Sequence, residues 1–213
     1  MTQQLGLQVK NHLLELGIET PIKASVKKKR SPDVIAECVQ QVMLSLNLDL
    51  TDDSLKDTPK RVAKMYLEEL FWGLDYAKFP KCTTIENKMN YDEMVHQRCS
   101  VNSCCEHHLV PFTGIAHVGY LPRHKVIGLS KINRVVEFFS RRPQVQERLT
   151  AQVCETLKFL LETPDVAVIM SCSHMCVKLR GIQDECSHTH TSKMSGRFLA
   201  NPTLRGEFLS LAK

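Results

Sequence analysis

Two short runs, Ser103-Cys104-Cys105-Glu106-His107-His108 and His174-Met175-Cys176, place thiols and imidazoles at metal-binding spacing. Cys105 and His108 are three positions apart, within reach of one ion from a turn of helix or a tight loop, and Cys176 supplies a third ligand from a separate segment. Three protein ligands leave zinc one open position. Water bound there loses a proton near neutral pH and becomes a nucleophile, which marks a catalytic rather than a structural site. His107 and His174 remain as proton-transfer groups, because imidazole titrates near neutrality. Positive charge lies in separate patterned segments, at Arg61, Lys131, Arg134 and Arg180. A fold that converged these cations would make a pocket for a polyanion such as a triphosphate.

The elements that must position these groups follow from periodicity. Leu5, Val9, Leu13 and Leu16 recur at helical spacing before Gly17, and Ile35, Val39, Val42, Met43 and Leu46 do so after Pro32. Thr58-Pro59 caps and opens a third helix through Val62, Met65, Tyr66 and Leu70, with Gly73 as its stop and Arg61 in its first turn. From Met94 the period changes to strands, Val95 to Val101 and then Phe112 to Leu121, with the metal motif between them. Val126 to Leu129 is a short strand running into Ser130, which can cap a helix through Ile132, Val135, Val136 and Phe139. With Ser130 and Lys131 in its first turn, that helix start is a ready anion site.

A further helix carries Val145, Leu149, Val153, Leu157 and Leu160 on its buried face, with Gln146 and Glu147 in its first turn. Val166 to Cys172, His174 to Arg180 and Thr191 to Phe198 read as strands, and a last helix spans 202–211. In the second of these strands a period of two aligns His174, Cys176, Lys178 and Arg180 on one face. The order gives an α+β class with a largely antiparallel sheet packed with helices. We divide the chain into an N-terminal helical arm, 1–50, and a catalytic domain, 51–213.

With 213 residues, 43% of them hydrophobic, the chain can bury one sizeable core. Nine cysteines, an odd number without an apolar leader before them, suit a reducing compartment, so a cytoplasmic location is expected. No apolar run approaches the roughly 20 residues that span a bilayer. The net charge is +5, and its one dense basic run, Lys27-Lys28-Lys29-Arg30, is short and without interleaved aromatics, as in a solvated linker rather than a nucleic-acid surface.

Cys105-Glu106-His107-His108, the block from Gly128 to Arg134, the block from Arg142 to Leu149, and His174-Met175-Cys176 with Arg180-Gly181 resemble the signature blocks of GTP cyclohydrolase I, in that family's order and spacing. The similarity extends to Leu48-Asp49-Leu50 and to Thr58 through Met65, and is closest to the bacterial form. The resemblance implies a tunnelling fold whose sheets join between subunits into rings, typically a homodecamer with sites at subunit interfaces. It implies hydrolytic opening of the guanine imidazole ring of GTP, release of formate, and closure to 7,8-dihydroneopterin triphosphate, the first step of tetrahydrofolate and pterin biosynthesis. By likeness, zinc is held by Cys105, His108 and Cys176; His174 protonates the ring; His107 and Ser130 serve the ribose steps; Arg61, Lys131, Arg134 and Arg180 hold or flank the triphosphate. Glu147 matches the reader of guanine, whose N1–H and exocyclic amine a carboxylate accepts and adenine lacks on that edge, and Gln146 beside it joins the substrate contacts.

Other classes fit less well. A zinc nucleobase deaminase needs H-x-E followed by P-C-x-x-C, and neither occurs. A structural zinc module would close its coordination with a fourth Cys or His, and paired C-x-x-C knuckles are absent. Another tunnelling-fold enzyme, acting on a pterin or deazapurine, is the alternative. Iron suits the same ligands. Two features depart from the family pattern: Cys104 beside Cys105, and the pair His188 and His190, read as exposed and without function.

Overall fold

The computed structural model describes residues 2–22 and 31–213, so the basic run at 27–30 lies outside the described residues. Two N-terminal helices come first, α1 (Thr2–Glu15) and α2 (Pro32–Ser45). Both match their apolar spacing, but they are used differently. Val9 and Leu13 of α1 are fully buried in the main core, whereas Val34, Val42, Leu44 and Leu46 leave α2 with an exposed apolar surface.

Helix α3 (Thr58–Lys64) does not run on to Leu70 as an α-helix: Met65–Leu70 widens into a π-helical turn, closed by Phe71 N–H donating to Tyr66 O at 2.9 Å. Gly73 ends the segment for a packing reason. A Cβ there would lie 2.1 Å from Phe138 O, so only glycine lets the chain approach the helix behind it.

The sheet follows. Strands β1 (Thr84–Glu86), β2 (Val95–Cys105), β3 (Pro111–Tyr120) and β4 (Lys125–Ile127) precede helix α4 (Leu129–Ser140). Strand β5 (Pro143–Gln144), helix α5 (Gln146–Leu161) and strand β6 (Val166–His174) come next. The short helix α6 (Met175–Lys178), strand β7 (Thr189–Met194), and helices α7 (Arg197–Ala200) and α8 (Pro202–Leu211) complete the chain. Five strands form one sheet in the order β5-β2-β3-β6-β7, antiparallel except for the two-residue pairing of β5 with β2, while β1 and β4 form a separate ribbon. The α+β class with a largely antiparallel sheet is as expected.

The core lies between one sheet face and the helices. Val101, Ala116, Val118, Val168 and Met170 meet Ile132, Val135, Val136, Leu149, Val153 and Leu157, all fully buried. A smaller cluster, Leu121, Ala167, Phe198 and Phe208, seats the C-terminal helices. The sheet keeps an open edge on each side: among the described residues, β2 has a strand on only one side over 95–103, and β7 pairs with β6 alone.

Two local expectations are corrected. The segment from His174 to Arg180 is not a strand. His174 is the last residue of β6, paired with Phe112; β3 begins one residue earlier at Pro111, which has no N–H to donate, so the chain leaves the sheet and coils into α6. His174, Cys176, Lys178 and Arg180 therefore do not share a strand face. Nor does Ser130 cap α4: Gly128 holds the cap position, and Ser130 lies exposed inside the first turn.

Candidate active site

The metal motif begins on the last residue of a strand. Cys104 pairs with Pro111 and Pro143, and Cys105 pairs with Gln144. The chain then turns back through a loop that closes on itself: Cys105 N–H donates to Val110 O and Leu109 N–H donates to Cys105 O, both at 2.9 Å, with Leu109 at φ +53°. Within this loop His107 Nδ1 lies 3.6 Å from Cys105 Sγ and His108 Nδ1 lies 3.9 Å from it. Helix α6 delivers Cys176 from the far side. The ligand atoms of Cys105, His108 and Cys176 all lie within 4.8 Å of one another, so one ion can touch all three.

Two thiols and an imidazole are a donor set that suits zinc, and their mutual distance fits a shared ion. Burial, reinforced by the Cys105 thiol beside it, pushes the Cys176 thiol above the ordinary thiol range. Arg180 Nη1 donates to His108 Nε2 at 2.9 Å, which brings a cation to the rim of this cluster.

The chain just before Cys176 and the start of α5 bring His174, Gln146 and Glu147 together. The His174 ring stacks on Phe112, 4.5 Å between centroids and 14° from parallel, and its Nε2 lies 2.8 Å from Gln146 Oε1. Burial holds His174 below the ordinary histidine range, with the Glu147 carboxylate pulling the other way. Glu147 itself is exposed in the first turn of α5, where main-chain amides lack intrahelical acceptors. Cys105, His107, His108, Cys176 and Arg180 thus form one set of contacts, and His174, Gln146 and Glu147 a second, joined by the two-residue step along the chain from His174 to Cys176.

The remaining cations are placed differently. Lys131 and Arg134 share one side of α4 at i, i+3 spacing, and both bear on the half-buried Cys82 thiol, whose burial pushes it up to about 11 against their pull. Arg61 is exposed on α3 and pairs with Asp57 at 3.8 Å, without contact to the metal cluster. A cavity of about 1510 Å³ opens beside the metal loop; Lys60, Lys64, Lys78, Glu106, His107 and Pro143 are among its lining residues, and Arg61 is not.

Sequence reading missed one contact that holds the site together. Arg148 grips Glu106 with both guanidinium nitrogens, at 2.6 and 3.1 Å, and this hydrogen-bonded pairing keeps the Glu106 carboxyl below the usual carboxylate range. The signal was present: Glu106 inside the Cys-His motif and Arg148 in the Arg142–Leu149 block carry opposite charges.

A model of the family described as GTP cyclohydrolase I matches residues 35–213. The protein named GTP cyclohydrolase 1 from Shewanella baltica (strain OS185) is 53% identical over 212 residues, covering 99% of this chain and 98% of its own length. Its namesake from Shewanella oneidensis gives the same identity and coverage. Among solved structures, the archaeosine synthase QueF-Like in the apo form overlaps 48% of this chain and 93% of its own, with a TM-score of 0.41 and 19% identity.

Proposed function

The chain belongs to the GTP cyclohydrolase I family, and from that premise we propose that it opens the imidazole ring of GTP by hydrolysis, releases formate and forms 7,8-dihydroneopterin triphosphate. The observation that carries this reading is the convergence of Cys105, His108 and Cys176 within 4.8 Å, beside His107 and His174. Zinc held by these three residues would supply Lewis acidity and a water that ionises near neutral pH.

The chain's own groups divide the remaining work. His174 gives a proton to the guanine ring at N7, which makes C8 electrophilic, and His107 moves protons on the ribose side with Ser130. Glu147 accepts from N1–H and the exocyclic amine of guanine. The first-turn amides of α5, including that of Gln146, offer donors beside it. Lys131, Arg134 and Arg180 bind the triphosphate, with Arg61 contributing from α3. Arg180 is suited to turn toward an anion: were the Nδ1 lone pair of His108 given to an ion, the neutral ring would carry its proton on Nε2, and that nitrogen would no longer accept from the guanidinium.

We assign the chain to a homo-oligomer, a decamer by family likeness, with tetrahydrofolate and pterin biosynthesis as its pathway. The open edges of β2 and β7 support assembly through the sheet, and the exposed apolar face of α2 supports a further contact. All nine cysteines are free, which supports a reducing, cytoplasmic setting. Among the described residues no helix is long and apolar enough to cross a membrane.

The test is formate and fluorescent pterin formation from GTP by the purified protein, with and without a zinc chelator and with ATP as the control. Chelator-sensitive turnover of GTP alone is expected. A zinc-loaded, oligomeric sample that releases no formate would redirect the assignment to a tunnelling-fold enzyme acting on a pterin or deazapurine.

A further inference from the structure

Both polar atoms of the Gln146 side chain are engaged within the protein. It is 2% exposed, and its amide nitrogen lies 3.1 Å from Met170 O, 3.0 Å from Thr189 O and 3.1 Å from Thr191 Oγ1. Two of those partners are main-chain carbonyls, which only accept. The NH₂ end must therefore face them, and the amide oxygen must face the other way.

On that other side Oε1 lies 2.8 Å from His174 Nε2. An amide oxygen carries no proton, so the ring nitrogen must donate. We propose that Gln146 is a positioning residue that holds His174 in the Nε2–H tautomer and thereby makes Nδ1 the nitrogen that exchanges a proton with the substrate. This rests on the reading of His174 as the proton-transfer group given above.

Three features of the site support it. Gln146 is the only hydrogen-bonding partner of the His174 ring among the described residues, so no competing contact favours the other tautomer. The parallel stack on Phe112 fixes the plane of the ring, leaving the hydrogen bond to choose which nitrogen holds the proton. Gln146 is itself locked from behind: Thr150 Oγ1 donates to Gln146 O at 2.8 Å and lies 2.6 Å from Thr191 Oγ1. Proton flow then balances simply. The Nδ1 lone pair takes a proton from solvent water, the imidazolium keeps Nε2–H on Gln146, and that same proton passes from Nδ1 to N7 of the guanine, which restores the neutral ring; Gln146 exchanges none. The substrate contact that the family resemblance gives to Gln146 falls to its main-chain amide in the first turn of α5.

The experiment is solid-state NMR of the zinc-loaded protein labelled with ¹⁵N and ¹³C histidine, with the His174 signals identified by subtraction of a His174→Ala spectrum. The wild-type protein should show a protonated Nε2 and an unprotonated Nδ1 in the neutral ring. Gln146→Leu should give a mixture of tautomers, with kcat lower by on the order of 10²-fold and GTP affinity little changed. The wild-type spectrum needs no variant, so a misfolded Gln146→Leu leaves the test intact. An Nδ1–H ring in the wild type overturns the proposal, and so does a folded Gln146→Leu protein whose His174 keeps Nε2–H alone. Failure of the reaction assignment is read separately, as absence of formate from GTP, and does not alter the tautomer measured.

Discussion

Arg142→Met should cost about 3–5 kcal/mol of unfolding free energy, although the residue touches no substrate group. Its side chain is 0% exposed and faces Glu19, itself only 4% exposed, with Nη1 3.1 Å from Glu19 Oε1. The same nitrogen reaches Thr20 Oγ1 at 3.3 Å and Tyr76 OH at 3.5 Å, and Nη2 donates to Gly73 O. The guanidinium carbon is also 5.1, 4.8 and 4.9 Å from the ring centroids of Tyr76, Phe138 and Phe139. Methionine fills much of this aromatic box, so the cavity contribution is small and the loss comes from the stranded Glu19 carboxylate.

For a chain of this size 1 kcal/mol moves Tm by about 2–4 °C, so the midpoint should fall by roughly 6–20 °C. Urea unfolding at fixed protomer concentration gives the free energy directly. The decisive comparison is Glu19→Gln with Arg142→Met: with both charges gone, the double variant should be more stable than the sum of the single losses. An Arg142→Met loss below about 1 kcal/mol would refute the reasoning. Strict additivity in the double variant would do the same.

Cys176→Ser should lose bound zinc and activity together, read by metal analysis of the purified protein alongside formate release; full activity without metal would remove Cys176 from the ligand set. His174→Ala should keep its zinc and lose kcat by about 10²–10⁴-fold, the ordinary worth of a positioned acid or base. Glu147→Ala should weaken GTP binding by about 10²-fold while leaving zinc in place, as loss of charge-assisted hydrogen bonds implies; unchanged affinity by calorimetry would return Glu147 to the role of a helix-terminus acid. The His96–His117 pair, 3.0 Å apart between Nε2 and Nδ1, should make stability fall with acid. Burial holds both rings below the ordinary range, and the charges of His96 and Arg98 hold His117 lower still. Their contribution is therefore complete above the unfolded histidine pKa and lost as pH falls through the native value. Unfolding free energies between pH 7 and 5 should be flatter in His117→Asn than in the wild type.

The legible parts of this protein were those written in local pattern. Helix α8 begins at Pro202, where Asn201 caps it by accepting from Thr203 and Leu204 N–H, and the apolar spacing of α1, α2 and α5 matched their helices. The residues around the metal were legible because three separate motifs had to agree on one chemistry. What escaped was set by partners far along the chain. A period of two at 174–180 looked like a strand, yet a strand needs a neighbour, and β3 starts at Pro111 one residue before Phe112 meets His174. The burial of Arg142 was not legible, because it depends on Glu19, 123 positions away, and on aromatics from two other segments, Tyr76 and the Phe138-Phe139 pair. Gln146 read as a substrate contact, because nothing local reveals that β6 and β7 supply three acceptors for its amide.

These non-local contacts share a geometric purpose. The loop carrying Cys105 and His108 hangs from the end of β2, while Glu147 starts α5, and the proposed reaction needs a fixed distance between the two. Strand β5 provides the first tie, pairing Pro143 and Gln144 with Cys104 and Cys105 immediately before α5 begins. Glu106 N–H donating to Gln144 O at 2.9 Å is the second, and the two-pronged Glu106–Arg148 contact is the third. With side chains 23% and 19% exposed, that ion pair adds little to stability, about 1 kcal/mol or less. Its fork geometry matters more, because two parallel bonds fix the angle between loop and helix as well as their separation. A displacement near 1 Å can cost about 10²-fold in rate, far more than the pair contributes to folding. The Glu106–Arg148 pair therefore matters more for holding the loop and α5 in register than for folding stability.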